Sequence, residues 1–127
     1  MCSGVGAQPS ITGFTFDAHG QLTPSPGSTR PLSRLPNSGC TQVAFNRTGN
    51  VVIVEEQVAD VIATCIPATT TGPSVAQLRS RAPGEGPFGL IFTQRNQVLT
   101  TENFMATPLM GRLASYDIED ARGRSHR

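Results

Sequence analysis

Apolar and polar residues alternate along much of this chain with the two-residue period of strands, and no stretch carries a convincing helical period. The clearest stretch is TQVAFNRTGNVVIVEE, residues 41–56. Thr41 to Phe45 predicts one strand and Arg47-Thr48-Gly49-Asn50 a turn. Val51 to Val54 predicts a β-branched return strand closing on two carboxylates, Glu55 and Glu56. A near copy follows at residues 88–103, FGLIFTQRNQVLTTEN. Phe45 matches Phe92, Val51 matches Val98, Val52 matches Leu99 and Glu55 matches Glu102, each pair 47 apart. A looser echo joins Ile11 to Gly20, Ile62 to Gly72 and Leu113 to Gly123, apolar strands whose turn glycines fall 52 and 51 residues apart. Self-similarity at this period, in β-type sequence, predicts propeller blades of four antiparallel strands.

The expected fold is therefore all-β, an incomplete propeller of about two and a half blades. Residues 11–30 form a half blade, 41–81 a complete blade, and 87–120 a blade lacking its last strand. In the half blade, Ser10 to Phe16 predicts a strand, Asp17 to Gly20 a turn and Gln21 to Ser28 a Pro-interrupted edge strand. Arg30 to Gly39 reads as a loop. The complete blade takes Thr41 to Asn46, Asn50 to Glu56, Val61 to Pro67 and Val75 to Arg81 as strands; the next takes Phe88 to Thr93, Gln97 to Asn103 and Arg112 to Ile118. In such a meander the turns after the first and third strands lie at one end. That end receives His19, Arg47 and Arg95; the opposite, loop-rich end receives Glu55, Glu56, Glu102, Asn103, Arg81, Glu85 and Pro87-Phe88-Gly89.

Composition narrows the partners. Net charge is +1, which argues against nucleic acid or an anionic membrane surface. No apolar run approaches the roughly 18 residues of a membrane span and no charged-then-apolar signal opens the chain, so the expected location is cytoplasmic. Cys2, Cys40 and Cys65 are an odd count without metal-type spacing, so free thiols and no metal site are expected. His19 reads as a solvated turn residue, and Gly84-Glu85-Gly86, with no helix after it, is not a phosphate loop.

The segments ITGFTFDAHGQLTPSPGSTRPLS, QVAFNRTGNVVIVEE, GEGPFGLIFTQRNQVLTTENF and LASYDIED resemble the seven-bladed lactonase-type propellers, a group that includes 6-phosphogluconolactonases and 3-carboxymuconate cyclases. The resemblance runs from Ile11 to Asp120, with the Pro87-Phe88-Gly89 entry and the strand ending in Glu102 its most specific part. It implies cofactor-independent chemistry on a sugar lactone or carboxymuconate-type acid, at the mouth of a central channel. Lactone opening or closing needs a general acid or base, and cations to hold substrate anions. Glu55 and Glu102 are the catalytic candidates, with Arg81, Phe88 and Asn103 as substrate-binding candidates. A glutamate ending a strand also serves simply to solvate a rim. Closed propellers need roughly four to eight blades, so the chain is expected to be a fragment, inactive alone. The rival expectation is a non-catalytic propeller module for protein interaction, or a gene fragment without function. Leu90, Phe92, Val98, Leu99 and Ile118 are expected on an uncovered blade face that drives self-association.

Overall fold

The computed structural model describes residues 1–3, 6, 8–33, 36–65, 78–81 and 85–117, with backbone alone for 65 and 78–81. Every strand pairs antiparallel, and the strands fall into small separate sheets, so the fold is all-β without a closed ring among the described residues. In chain order they are β1 (Cys2–Ser3), β2 (Ser10–Ile11), β3 (Phe14–Phe16), β4 (Leu22–Pro24), β5 (Arg30–Pro31), β6 (Cys40–Phe45), β7 (Val52–Glu56), β8 (Val61–Cys65), β9 (Leu78–Arg81), β10 (Pro87–Phe92), β11 (Gln97–Glu102) and β12 (Arg112–Asp117). The central sheet is a four-stranded meander, β6-β7-β8-β9, followed by a three-stranded meander, β10-β11-β12. The described residues of 40–81 thus supply one four-stranded sheet, and those of 87–117 a three-stranded one. Residues 66–77 and 118–127, which include Ile118, Gly72 and Gly123, lie outside the described residues.

The N-terminal third departs from the expectation. Ser10 to Phe16 is two strands in two sheets, because the chain bends at Thr12-Gly13, where the Gly13 N–H donates to Ser28 Oγ at 3.0 Å. The expected loop 30–39 contributes β5, which completes a small sheet in the order β1-β2-β5. Cys2 and Cys40 form a disulfide, correcting the expectation of free thiols there. The bridge ties β1 to the first strand of the central sheet, across 38 residues of chain. Its pairing needed the two-residue β1 to meet the start of β6, which no cysteine spacing encodes.

Three hairpins share one turn. Phe16, Phe45 and Phe92 each end a strand and pair with Leu22, Val52 and Val98. The next residue, Asp17, Asn46 or Thr93, uses its side-chain oxygen to accept two backbone N–H groups ahead of it. Asp17 takes His19 and Gln21, both at 2.9 Å; Asn46 takes Asn50 and Val51 at 3.0 and 3.1 Å; Thr93 takes Arg95 and Gln97 at 3.3 and 3.1 Å. Gly20, Gly49 and Asn96 supply the positive φ that each turn requires. The segment Ile11 to Gly20 therefore belongs with the first strands of these hairpins; β8 and β12, in the other two echo segments, are third strands.

The turn after Phe45 holds one residue more than the turn after Phe92, so the 47-residue match slips by one on the return strand. Cys40 pairs with Glu56 and Pro87 with Glu102. Glu56, not Glu55, is the counterpart of Glu102.

Strand β7 is buried along its whole length, which its Val-Ile-Val run favours. Val51, Ile53 and Ile62 pack with Leu90 and Val98 of the next sheet, with Ala44, Phe92 and Tyr116 at the margin. On the other face Val52, Val54 and Ala63 pack with Leu32, flanked by Ile11, Val43 and Val61. Leu90 and Val98 are therefore core, and Phe92 packs against that core; none of them belongs to the uncovered face expected of them. Alternation turns Ile91 and Leu113 outward instead, at 64% and 69% exposed. Phe45 is exposed where burial was expected, although its register matches that of Phe92.

Candidate functional site

The central and C-terminal sheets meet through a polar seam as well as an apolar core. Along β7 the side chains of Ile53 and Glu55 share one face, and along β11 those of Val98, Thr100 and Glu102 share another. These two faces oppose each other across the seam. Glu55, Thr100 and Glu102 are all buried there. The sequence grouped Glu55 and Glu102 at the loop-rich end, and the structure does bring both to that end of the seam.

Glu55 belongs to the opposite sheet through both carboxylate oxygens. Oε2 accepts the Gly89 N–H at 2.6 Å, and Oε1 accepts the Thr100 hydroxyl in a short hydrogen bond. Gly89 has φ +124, a conformation that lets the bulged start of β10 aim this N–H across the gap. Burial pushes the Glu55 carboxyl above its ordinary range, while the Thr100 hydroxyl and the Gly89 N–H act to lower it. Glu102 accepts the Tyr116 hydroxyl at 3.1 Å. Burial raises the Tyr116 phenol, and so do the hydrogen bond to Glu102 and the nearby charges of Glu102 and Glu55. The seam thus gathers two buried carboxylates, a buried threonine and a half-buried phenol.

Two residues that the sequence left aside complete the fastening. Gln42 lies on the same face of β6, and its side-chain amide pairs with the Leu90 backbone in both directions. Nε2 donates to the carbonyl at 2.8 Å and Oε1 accepts the N–H at 2.9 Å. Asn46 Nδ2 donates to Asn96 Oδ1 at 3.2 Å, joining the turns of adjacent sheets. The signal for Gln42 was a polar residue next to Thr41 at the start of an otherwise apolar strand, which pattern reading takes as outward-facing.

The remaining candidates do not join a site. Phe88 is exposed, and its carbonyl accepts the Thr101 hydroxyl at 3.0 Å within the C-terminal sheet, away from the seam. Asn103 braces the loop end of the seam: Oδ1 accepts Gln57 Nε2 and the Met105 N–H, both at 3.1 Å. Beside it Asp60 Oδ1 accepts the Gly86 N–H at 2.8 Å. Gly86 is tied to its place, since a Cβ there would lie 2.5 Å from Asn103 Oδ1. The Arg81 backbone pairs with Val61, and its side chain lies outside what is described. Phe104, Met105 and Ala106 follow in a short turn with positive φ, and Arg112 stacks over the Phe104 ring at 5.0 Å. Among the described residues no group of three His, Cys, Asp or Glu stands close enough to hold a metal, and no helix is long and apolar enough to cross a membrane.

Comparison with protein-family models, with curated proteins and with solved structures finds no match for this chain. The lactonase-type resemblance therefore stands on the sequence segments alone.

Proposed function

We propose that this chain is a non-catalytic module of stacked, blade-like sheets, which works by packing against further protein rather than by turning over a small molecule. The observation carrying this reading is the state of Glu55. A general acid or base must reach a substrate atom, whereas Glu55 is fully buried and both its oxygens are engaged by the neighbouring sheet. Glu102 is 3% exposed and accepts from Tyr116. Buried, hydrogen-bonded carboxylates of this kind hold sheets in register. The outer face of the C-terminal sheet, with Ile91 and Leu113 exposed, supports the interaction role. The Cys2–Cys40 disulfide favours an oxidising compartment over the cytoplasm.

A second reading keeps the lactonase or cyclase activity for a complete propeller of which this chain would be part. It is favoured by the raised Glu55 carboxyl beside a phenol and a second carboxylate, a grouping found where acid–base chemistry is done. One preparation tests both. The purified chain is expected to show no turnover of 6-phosphogluconolactone or carboxymuconate. It is expected to sediment as an associated species that Ile91→Lys with Leu113→Lys converts to monomer. Turnover that disappears with Glu55→Gln or Glu102→Gln would overturn the non-catalytic reading.

A further inference from the structure

The contact between the central and C-terminal sheets has two halves, and hairpin register shows where each half recurs. On the central sheet the receiving face carries Ala44 of β6, Ile53 of β7 and Ile62 of β8. On the C-terminal sheet the entering face carries Leu90 and Phe92 of β10 and Val98 of β11. The two sheets align at Phe45–Val52 and Phe92–Val98, the pairs that flank their shared turn. One step from the turn, Ala44–Ile53 then corresponds to Ile91–Leu99. On the third strands Ile62, opposite Glu55, corresponds to Leu113, opposite Thr101. Ile91, Leu99 and Leu113 therefore repeat the receiving face on the outer side of the C-terminal sheet. Ile91 and Leu113 are exposed and Leu99 is half-buried. Thr101 stands where the central sheet has Glu55, so this outer face can be covered without burying a carboxylate.

The entering face recurs as well. In the β3–β4 hairpin Phe16 pairs with Leu22 and Phe14 with Pro24. The turn from Phe16 to Leu22 has the same length as the turn from Phe92 to Val98. Phe14, Phe16 and Leu22 thus hold the positions of Leu90, Phe92 and Val98, with apolar side chains at all three. Phe16 and Leu22 are 76% and 54% exposed. Each chain therefore shows water both halves of an interface that it has already built once inside itself.

We propose that a second copy of this chain seats its β3–β4 hairpin on the outer face of the C-terminal sheet, continuing the contact between the central and C-terminal sheets. This rests on the reading of the chain as a packing module, and it names the partner. The matching register of the two faces selects a copy of the chain over an unrelated protein. Because the faces differ, the contact is heterologous: each copy receives one neighbour on its C-terminal sheet and enters another with its hairpin. Association then runs head to tail into a ring or an open chain, and does not stop at a symmetric dimer.

Sedimentation of two variants of the full chain, apart and mixed, tests the pairing. One carries Ile91→Lys with Leu113→Lys and lacks the receiving face. The other carries Phe16→Lys with Leu22→Lys and lacks the entering face. All four positions are exposed, so the core is untouched. Each variant alone is expected to be monomeric where the wild type associates. Their equimolar mixture is expected to give a species of twice the monomer mass and nothing larger, which also shows that both variants fold. The inference is overturned if the Phe16→Lys, Leu22→Lys protein associates as the wild type does. That result would keep packing through the C-terminal sheet but give it another partner face. A mixture that stays monomeric while the wild type associates overturns it equally. A monomeric wild type would overturn both this pairing and the packing-module reading.

Discussion

Glu55 is the residue whose surroundings say most about the molecule. Its carboxyl is raised above the ordinary value of 4.5 by burial, with Thr100 and Gly89 opposing. A carboxyl raised on folding binds its proton more tightly in the folded state. The stability this confers is complete below the unfolded value and is lost as pH rises through the folded one. Wild-type stability is therefore expected to fall relative to Glu55→Gln as pH is raised from below 4.5 toward neutrality. Urea unfolding of the two proteins across that range measures the difference, and a difference independent of pH would contradict the assignment. The sequence marked Glu55 and Glu102 as noteworthy because both stand near the end of a return strand. It did not reveal that they face inward, since a polar residue at a strand end looks alike whether it meets water or a neighbouring sheet. Arg81 and Phe88 were chosen by position on the same end, and position alone does not aim a side chain.

At the scale of elements the hairpins were the legible part. Apolar strands, glycines and Asn or Asp clusters mark β6–β7 and β10–β11 in the sequence, and both pair as expected. The shared turn was less visible, because Asp17, Asn46 and Thr93 are different residue types doing one job. A one-residue difference in turn length then hid the register that aligns Glu56 with Glu102. Asn46 is 5% exposed and its Oδ1 accepts two backbone N–H groups. By analogy with helix caps, where one side-chain oxygen satisfies orphan N–H groups, Asn46→Ala is expected to cost about 0.5–2 kcal/mol. Arg47→Ala, on the exposed crown of the same turn, should stay within roughly 0.5 kcal/mol of wild type. Chemical denaturation of both variants checks the turn assignment, and equal losses would contradict it.

At the scale of the whole molecule the central sheet is held between two neighbours, and this stacking was only partly readable. The C-terminal packing follows from two copies of one hairpin. The N-terminal packing rests on two-residue strands and a disulfide between distant cysteines, neither of which leaves a periodic trace. The uncovered apolar surface was anticipated in kind but assigned to the wrong alternation, so that Leu90 and Val98 were placed outside when they are core. What joins the central and C-terminal sheets is a packed apolar cluster bordered by the seam in which Glu55 fastens one sheet to the other. A double-mutant cycle on Glu55→Gln and Thr100→Val tests that claim most directly, with unfolding free energies as the readout. Contacts made across the seam predict a coupling of about 0.5–3 kcal/mol and a loss of stability in each single variant. Additive effects within roughly 0.3–0.5 kcal/mol, in single variants as stable as the wild type, would show that the two sheets do not depend on this carboxylate.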